Sequence, residues 1–202
     1  TALTGSQCEV SLLGNFGFSI GGQLRQDLPH GSKRLLAFLA LSDRSIDRTA
    51  ISGALWPEAS EEHAHASLRS ALSRLNETTR TVVRVTSQEV QLAQGVVVDL
   101  RDARLLAHRL MNPGFSIEKD LNDRAIAVLS VDLLPDWYDA WAVTESEEWR
   151  QLRLHALDAL AERLTAAGQF GDAISAALAA VRAEPLRETA HAVLIRVYLA
   201  EG

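Results

Sequence analysis

Pro57 divides two stretches of helical periodicity, and that division limits the folds open to this chain more than any other feature. Before it, Ile46, Ala50, Ile51, Ala54 and Leu55 recur at the spacing of one helix face. The proline pushes Trp56 out of the helical region and ends that helix. Ser60 then offers an N-cap, and Glu61 and Glu62 supply a negative first turn, which the positive end of the helix dipole favours. In the second helix Ala64, Leu68, Ala71, Leu72 and Leu75 form the buried stripe. The opposite face carries Ser67, Arg69, Ser70, Ser73 and Arg74, with no acidic residue between Glu62 and Glu77. Arg can grip a guanine edge or a phosphate, and Ser can reach phosphate or either base. Taken alone, two arginines and three serines also describe an ordinary solvated surface; their neighbourhood favours the nucleic-acid reading.

A helix, a corner and a second helix with a basic outer face are the parts of a helix-turn-helix, and the long corner from Trp56 to Ser60 suggests its winged variant. The flanks agree. Cys8–Leu13 and Phe16–Ile20 are strand-like, with a Gly21-Gly22 hairpin turn before Gln23–Leu28. After a break at Pro29–Ser32, residues Lys33–Leu41 are apolar nearly all round, which predicts a central helix with Lys33 and Arg34 at its exposed start. Two β-branched runs, Arg80–Thr86 and Val90–Leu92, predict a hairpin where a winged helix carries its wing. Arg84, Ser87 and Gln88 are placed to touch backbone or minor groove, or simply to solvate the turn. Gly95 and the extended Val96–Val98 end the sheet, and the domain boundary is expected at Val98/Asp99.

Charge is unevenly spread. The 202-residue chain carries a net charge of −6, yet residues 1–98 hold nine basic and nine acidic residues. The remainder holds 11 of the 20 basic and 17 of the 26 acidic residues, so it is unsuited to DNA, whereas the neutral part can present a local basic face. Cys8 is the only cysteine, which excludes a disulfide framework or a thiolate metal site and fits a reducing cytoplasm. No apolar run is long enough to span a bilayer, so no membrane role is expected.

From Asp99 the texture becomes Leu/Ala-rich helix. Helices are expected at Asp99–Leu110 and Glu118–Ser130, followed by an irregular aromatic stretch, Leu133–Trp141, whose Trp137 and Trp141 plug between helices. Thr144–Glu147 has capping-box spacing and should open a long helix to about Ala167. A 34-residue repeat then appears, pairing Ala156 with Ala190, Leu160 with Leu194, Leu164 with Tyr198 and Gly168 with Gly202. Helix, glycine turn and helix at that period is the tetratricopeptide pattern, whose helix pairs stack and leave a groove for peptides or partner helices. The expected fold is therefore mainly α with a small antiparallel β part: a winged helix-turn-helix in 1–98, then an all-helical tetratricopeptide-like domain in 99–202. Leu194, Val197 and Tyr198 share one face, and Ile195 and Leu199 lie uncovered beside them, so the helical domain is expected to continue beyond Gly202 or to meet another subunit.

The order of pieces resembles the SARP-type (Streptomyces antibiotic regulatory protein) activators, in which an OmpR-like winged helix precedes a bacterial transcriptional activation domain. The residues carrying the resemblance are Leu13–Phe16, Ser32–Leu41, Ala54–Pro57 and Ser67–Leu75 in the first half. In the second they are Asp99-Leu100, Leu134–Trp137, Glu147–Arg153 and Glu184–Ala190. The resemblance implies a cytoplasmic activator that binds repeated promoter sequences in double-stranded DNA as a homodimer. It also implies recruitment of RNA polymerase holoenzyme, sigma factor included, to a secondary-metabolite or other pathway-specific gene cluster. It makes Ser67–Arg74 the recognition helix and Thr86–Glu89 the wing. Lys33, Arg34, Arg48, Arg69, Arg74, Arg80 and Arg84 are the cations available to phosphates.

Two rival readings are distinguishable. Glu62, His63 and His65 suggest a metal, but positions two apart on a helix point to different faces, and no phosphate loop or nucleophile motif occurs, so neither enzyme nor cofactor is expected. The other rival is a protein-interaction adaptor in which the winged helix is a docking module; failure to bind duplex DNA at low salt would favour it.

Overall fold

The computed structural model of the protein describes residues 7–78, 82–112, 114–115 and 118–202. They form two compact units: one holds the described residues up to Leu100 together with Leu134–Glu145, the other Arg101–Leu133 and Ser146–Gly202.

In the first unit β1 (Cys8–Ser11), β2 (Gly17–Ile20) and β3 (Gln23–Leu24) form an antiparallel meander with Val10 opposite Phe18. Its second turn is Gly21-Gly22, both at positive φ (59° and 79°), as a tight hairpin with matching twist requires. The helix α1 (His30–Leu41) starts three residues before the expected Lys33. Pro29, with its φ fixed at −58°, stands at the N-cap position and its carbonyl accepts the Lys33 N–H at 3.0 Å.

The first helix of the pair is shorter than expected. Ile46 is not on its apolar face, because β4 (Ile46–Asp47) is a strand and the helix α2 is Arg48–Leu55. The Asp47 carboxylate accepts from Thr49 N–H (2.8 Å) and Ala50 N–H (3.2 Å), an N-cap that a hydrophobic-period reading passes over. Next come α3 (Glu61–Thr78) and the wing strands β5 (Val83–Val85) and β6 (Glu89–Leu92), which pair antiparallel, with β4 on the other side of β6. The outset of the expected wing hairpin, Arg80-Thr81, lies outside the described residues. The extended run continues not along the wing but to β1: β7 (Val97–Val98) pairs parallel with it, Val98 opposite Val10. Leu35, Leu36 and Leu39 of α1 centre the core with Leu12, Phe18, Ile51, Leu55, Leu68 and Leu75, each at most 1% exposed. Every such side chain contributes about 1.5–3 kcal/mol by leaving water.

Two features close this unit. Asp99 accepts from the backbone N–H groups of Leu12 (2.8 Å), Leu13 (3.1 Å) and Leu100 (2.7 Å), tying the end of β7 to the end of β1. Leu134–Glu145 returns as a strap. Leu134, at a left-handed φ of 44°, donates its N–H to the Leu12 carbonyl at 3.0 Å, and Asp139 pairs with Arg34 of α1. Phe16, Trp137, Trp141 and Phe38 stack in sequence with centroids 5.3–5.8 Å apart. Trp141 meets Phe38 of α1, the helix contact expected of a plug, whereas Trp137 packs on Phe16 in the β1–β2 loop.

The second unit is helical: α4 (Asp99–Met111) from Arg101 on, a 3-10 turn at Glu118–Asp120, α5 (Asp123–Leu129), α6 (Ala140–Ala166) from Ser146 on, α7 (Phe170–Ala183) and α8 (Glu188–Glu201). The expected Glu118–Ser130 helix is broken, because Asn122 accepts from Ala125 N–H at 3.0 Å and starts α5 afresh. The long helix opens at Ala140, four residues before the expected box; Thr144 lies inside it, its hydroxyl donating to the Ala140 carbonyl at 3.0 Å. Trp149 is fully buried and donates its indole N–H to the Val131 carbonyl (2.9 Å), and Arg109 grips Asp120 through two hydrogen bonds (2.9 and 3.0 Å). Gly168, at φ 75°, makes the turn the repeat requires before α7, whose buried Ala173, Ala176, Ala177 and Ala180 let α8 pack closely. The repeat is also written in ion pairs: Arg150 with Glu184, and Glu162 with Arg196 at 2.6 Å, both 34 residues apart.

Candidate nucleic-acid interface

Both neighbouring helices hold α3 in place through short polar contacts inside the core. The buried Ser32 hydroxyl of α1 donates to the Ala71 carbonyl at 3.1 Å. From α2, the buried Ser52 hydroxyl donates to its own helix at Arg48 (2.8 Å) and lies 3.3 Å from His65 Nδ1. At the start of the helix the Ser60 carbonyl takes the Ala64 N–H at 2.9 Å, so Ser60 stands where the sequence places the N-cap; its hydroxyl also meets His63 Nδ1 at 2.7 Å. His63 and His65 thus turn to different partners, and among the described residues no group of three His, Cys, Asp or Glu side chains could hold a metal.

The outward face of α3 exposes Arg69, Ser70, Ser73 and Arg74, with Ser67 half-buried at its edge. Arg74, Ser67 and Ser70 line one cleft of about 410 Å³ with Pro29, Gly31, Ser32, Trp56 and Ala71, beside the start of α1. The two arginines occupy different flanks of the helix, about 140° apart around its axis. Glu62 and Ala66 also face outward here, and the sequence reading passed over both as interface residues. Their signal was available: positions 62, 66, 69 and 73 follow the spacing of one helix stripe.

The wing is short and self-braced. The Thr86 hydroxyl accepts from Glu89 N–H (2.9 Å) and Gln88 N–H (3.3 Å), and the Thr86 N–H donates to the Glu89 carbonyl at 2.9 Å. Arg48 joins it to the helices, its backbone N–H donating to Gln88 O (2.8 Å) and its guanidinium to Thr86 O (3.4 Å). Arg84, Ser87 and Gln88 are exposed. The other cations are placed differently. Arg34 is held by Asp139, and Lys33 lines a cleft with His30, Asp136, Tyr138 and Asp139, an acidic setting unlike that of α3. Arg80 lies outside the described residues.

Residues 117–202 match the family model of the bacterial transcriptional activator domain. Among solved structures the fold is similar to that of Mycobacterium tuberculosis EmbR in complex with low affinity phosphopeptide, with a TM-score of 0.74 and 21% identity. The similarity covers 96% of this chain and 55% of that one, so the chain spans little more than half the length of EmbR. No curated protein matches the sequence. The match at 117–202 agrees with the second half of the expected order of pieces, and the EmbR-like fold with the expected architecture. No helix among the described residues is long and apolar enough to cross a membrane.

Proposed function

We propose that the chain is a sequence-specific DNA-binding transcriptional activator. It binds repeated promoter elements as a pair of protomers in the cytoplasm and helps recruit RNA polymerase holoenzyme, sigma factor included, to a pathway-specific gene cluster. The outward face of α3 supports this most strongly: two arginines and two serines exposed on a helix pinned from behind by Ser32 and Ser52, beside a wing that presents Arg84, Ser87 and Gln88. Such a helix can enter a major groove while Arg84, Arg48 and the wing backbone meet phosphates. The activator domain at 117–202 supplies the part that acts on the transcription machinery. Footprinting of the 202-residue chain on the promoters nearest its own gene tests this reading. Protected direct repeats, and more transcript from a template that carries them than from one without, are expected. Absence of duplex binding even at low salt would remove it.

One observation favours the adaptor reading. Leu186, Ile195, Tyr198 and Leu199 are 90, 57, 49 and 77% exposed, an apolar surface on and before α8 that suits a protein partner. On that reading the first unit docks protein, and removing the α3 arginines leaves function intact.

A further inference from the structure

The stripe Glu62, Ala66, Arg69, Ser73 runs straight along the exposed side of α3. With a turn of about 100° per residue the four positions fall within an arc of about 60°. The two acids of the first turn are used differently. Glu61 lies 3.8 Å from His65 Nε2, on the flank nearer the core, whereas Glu62 makes no hydrogen bond or ion pair with any described residue. Arg69 makes none either, while Arg74 has an interaction within the chain. The stripe therefore presents, in order, an unengaged carboxylate, a methyl group, an unengaged guanidinium and a hydroxyl. Glu62 and Arg69 are separated by about 10 Å along the axis, close to three base-pair steps of about 3.4 Å.

An ionised carboxylate only accepts hydrogen bonds, and the donors on a major-groove floor are the exocyclic amino groups of cytosine and adenine. Near phosphates such a group is repelled everywhere except where it meets a donor, so it discriminates more than it attracts. The helix N-terminus is the end that reaches base edges in helix-turn-helix proteins. We propose that Glu62 is a specificity-determining residue, which accepts from the amino group of a cytosine or adenine about three base pairs from the guanine gripped by Arg69. The inference rests on the DNA-binding reading of α3 above.

Selection of the full chain against a randomised duplex pool, repeated with E62A, E62Q and R69A, tests it. The parent should enrich a cytosine or adenine about three pairs from a guanine, and R69A should blur the guanine column. E62A should lose the amino-base column, a preference of roughly fivefold to tenfold, while binding unrelated duplex more tightly. E62Q, which can accept and donate, should move the column towards adenine. An unchanged column in E62A, or binding that tightens equally at every sequence, overturns the inference and leaves the DNA reading standing. A parent that enriches no sequence overturns both. Glu62 is exposed and unpaired, so unchanged melting of the variants is the check on folding.

Discussion

The carboxylate of Asp99 accepts the Leu12 N–H at 2.8 Å and, through its second oxygen, the Leu13 N–H at 3.1 Å. One side chain thus ends the first strand of the sheet and begins α4, across 87 residues of sequence. Burial pushes its pKa up, against the pull of the three backbone donors. A carboxyl whose folded pKa is raised binds its proton more readily in the folded state, so its contribution to stability declines as pH rises from the ordinary value of 3.8 through the folded one. D99N should lose about 1–3 kcal/mol, because an amide nitrogen would face the Leu13 N–H. It should also flatten that part of the stability profile, measured by urea unfolding from pH 3.5 to 7.

Arg69 and Arg74 should fail differently. R69A is expected to cost roughly 1–3 kcal/mol on the preferred site and little on scrambled duplex, because it removes a base contact. R74A, on the flank beside the start of α1, should weaken both duplexes alike. Anisotropy titrations with the two duplexes check this, and parent-like binding by both variants would show that α3 does not face DNA.

Salt dependence should be shallow for a DNA-binding protein. Arg34 is held by Asp139, Lys33 lies in an acidic cleft and Arg69 is assigned to a base, which leaves Arg48, Arg74 and Arg84 as the described cations beside the proposed interface. If two or three engage, log K should fall against log salt with a slope of about −2 to −3 per protomer. A slope near zero would mean that the contact with DNA is incidental.

The repeat register can be measured through its ion pairs. Arg150–Glu184 is two-thirds buried and Glu162–Arg196 mostly exposed. Double-mutant cycles should give about 0.5–1 kcal/mol of coupling for the first and no more than about 0.5 for the second, both falling with salt. Arg150 also holds Glu147, whose pKa is lowered from 4.5 to about 2 by hydrogen bonds from Arg150 and Gln151. A lowered carboxylate pKa gives stability that is complete above 4.5 and lost as pH falls through about 2, so E147Q should soften acid unfolding in that window.

Much of this was legible because it depends on local period and punctuation. The stripe from Ala64 to Leu75, the Gly21-Gly22 turn and the glycine turn of the repeat at Gly168 follow from apolar spacing and glycine, which act within a few residues. The misplacements share one cause: a side chain or partner strand distant in sequence, or a cap, overrode the period. Asp47 caps α2 and pairs with β6, so Ile46 is strand; Asn122 restarts a helix; Trp137 found Phe16 of a loop across more than a hundred residues. At the interface the charged and hydroxylic residues stood out by composition. Glu62 and Ala66 did not, since an acid reads as a helix-dipole partner and an alanine as filler until the exposed stripe is seen.

The strap from Leu134 to Glu145 has a consequence for how this molecule can be divided. The chain leaves its first unit after Leu100, comes back at Leu134 and leaves again after Glu145. No single cut yields both units whole. A fragment ending near residue 100 lacks Asp139, Trp137 and Trp141, and so strips Arg34 of its counter-charge and bares Phe16 and Phe38. Fusing the first unit to a foreign domain, or exchanging the second unit between relatives, therefore works only if those twelve residues travel with the first unit, from whose other residues Arg101–Leu133 separates them in sequence.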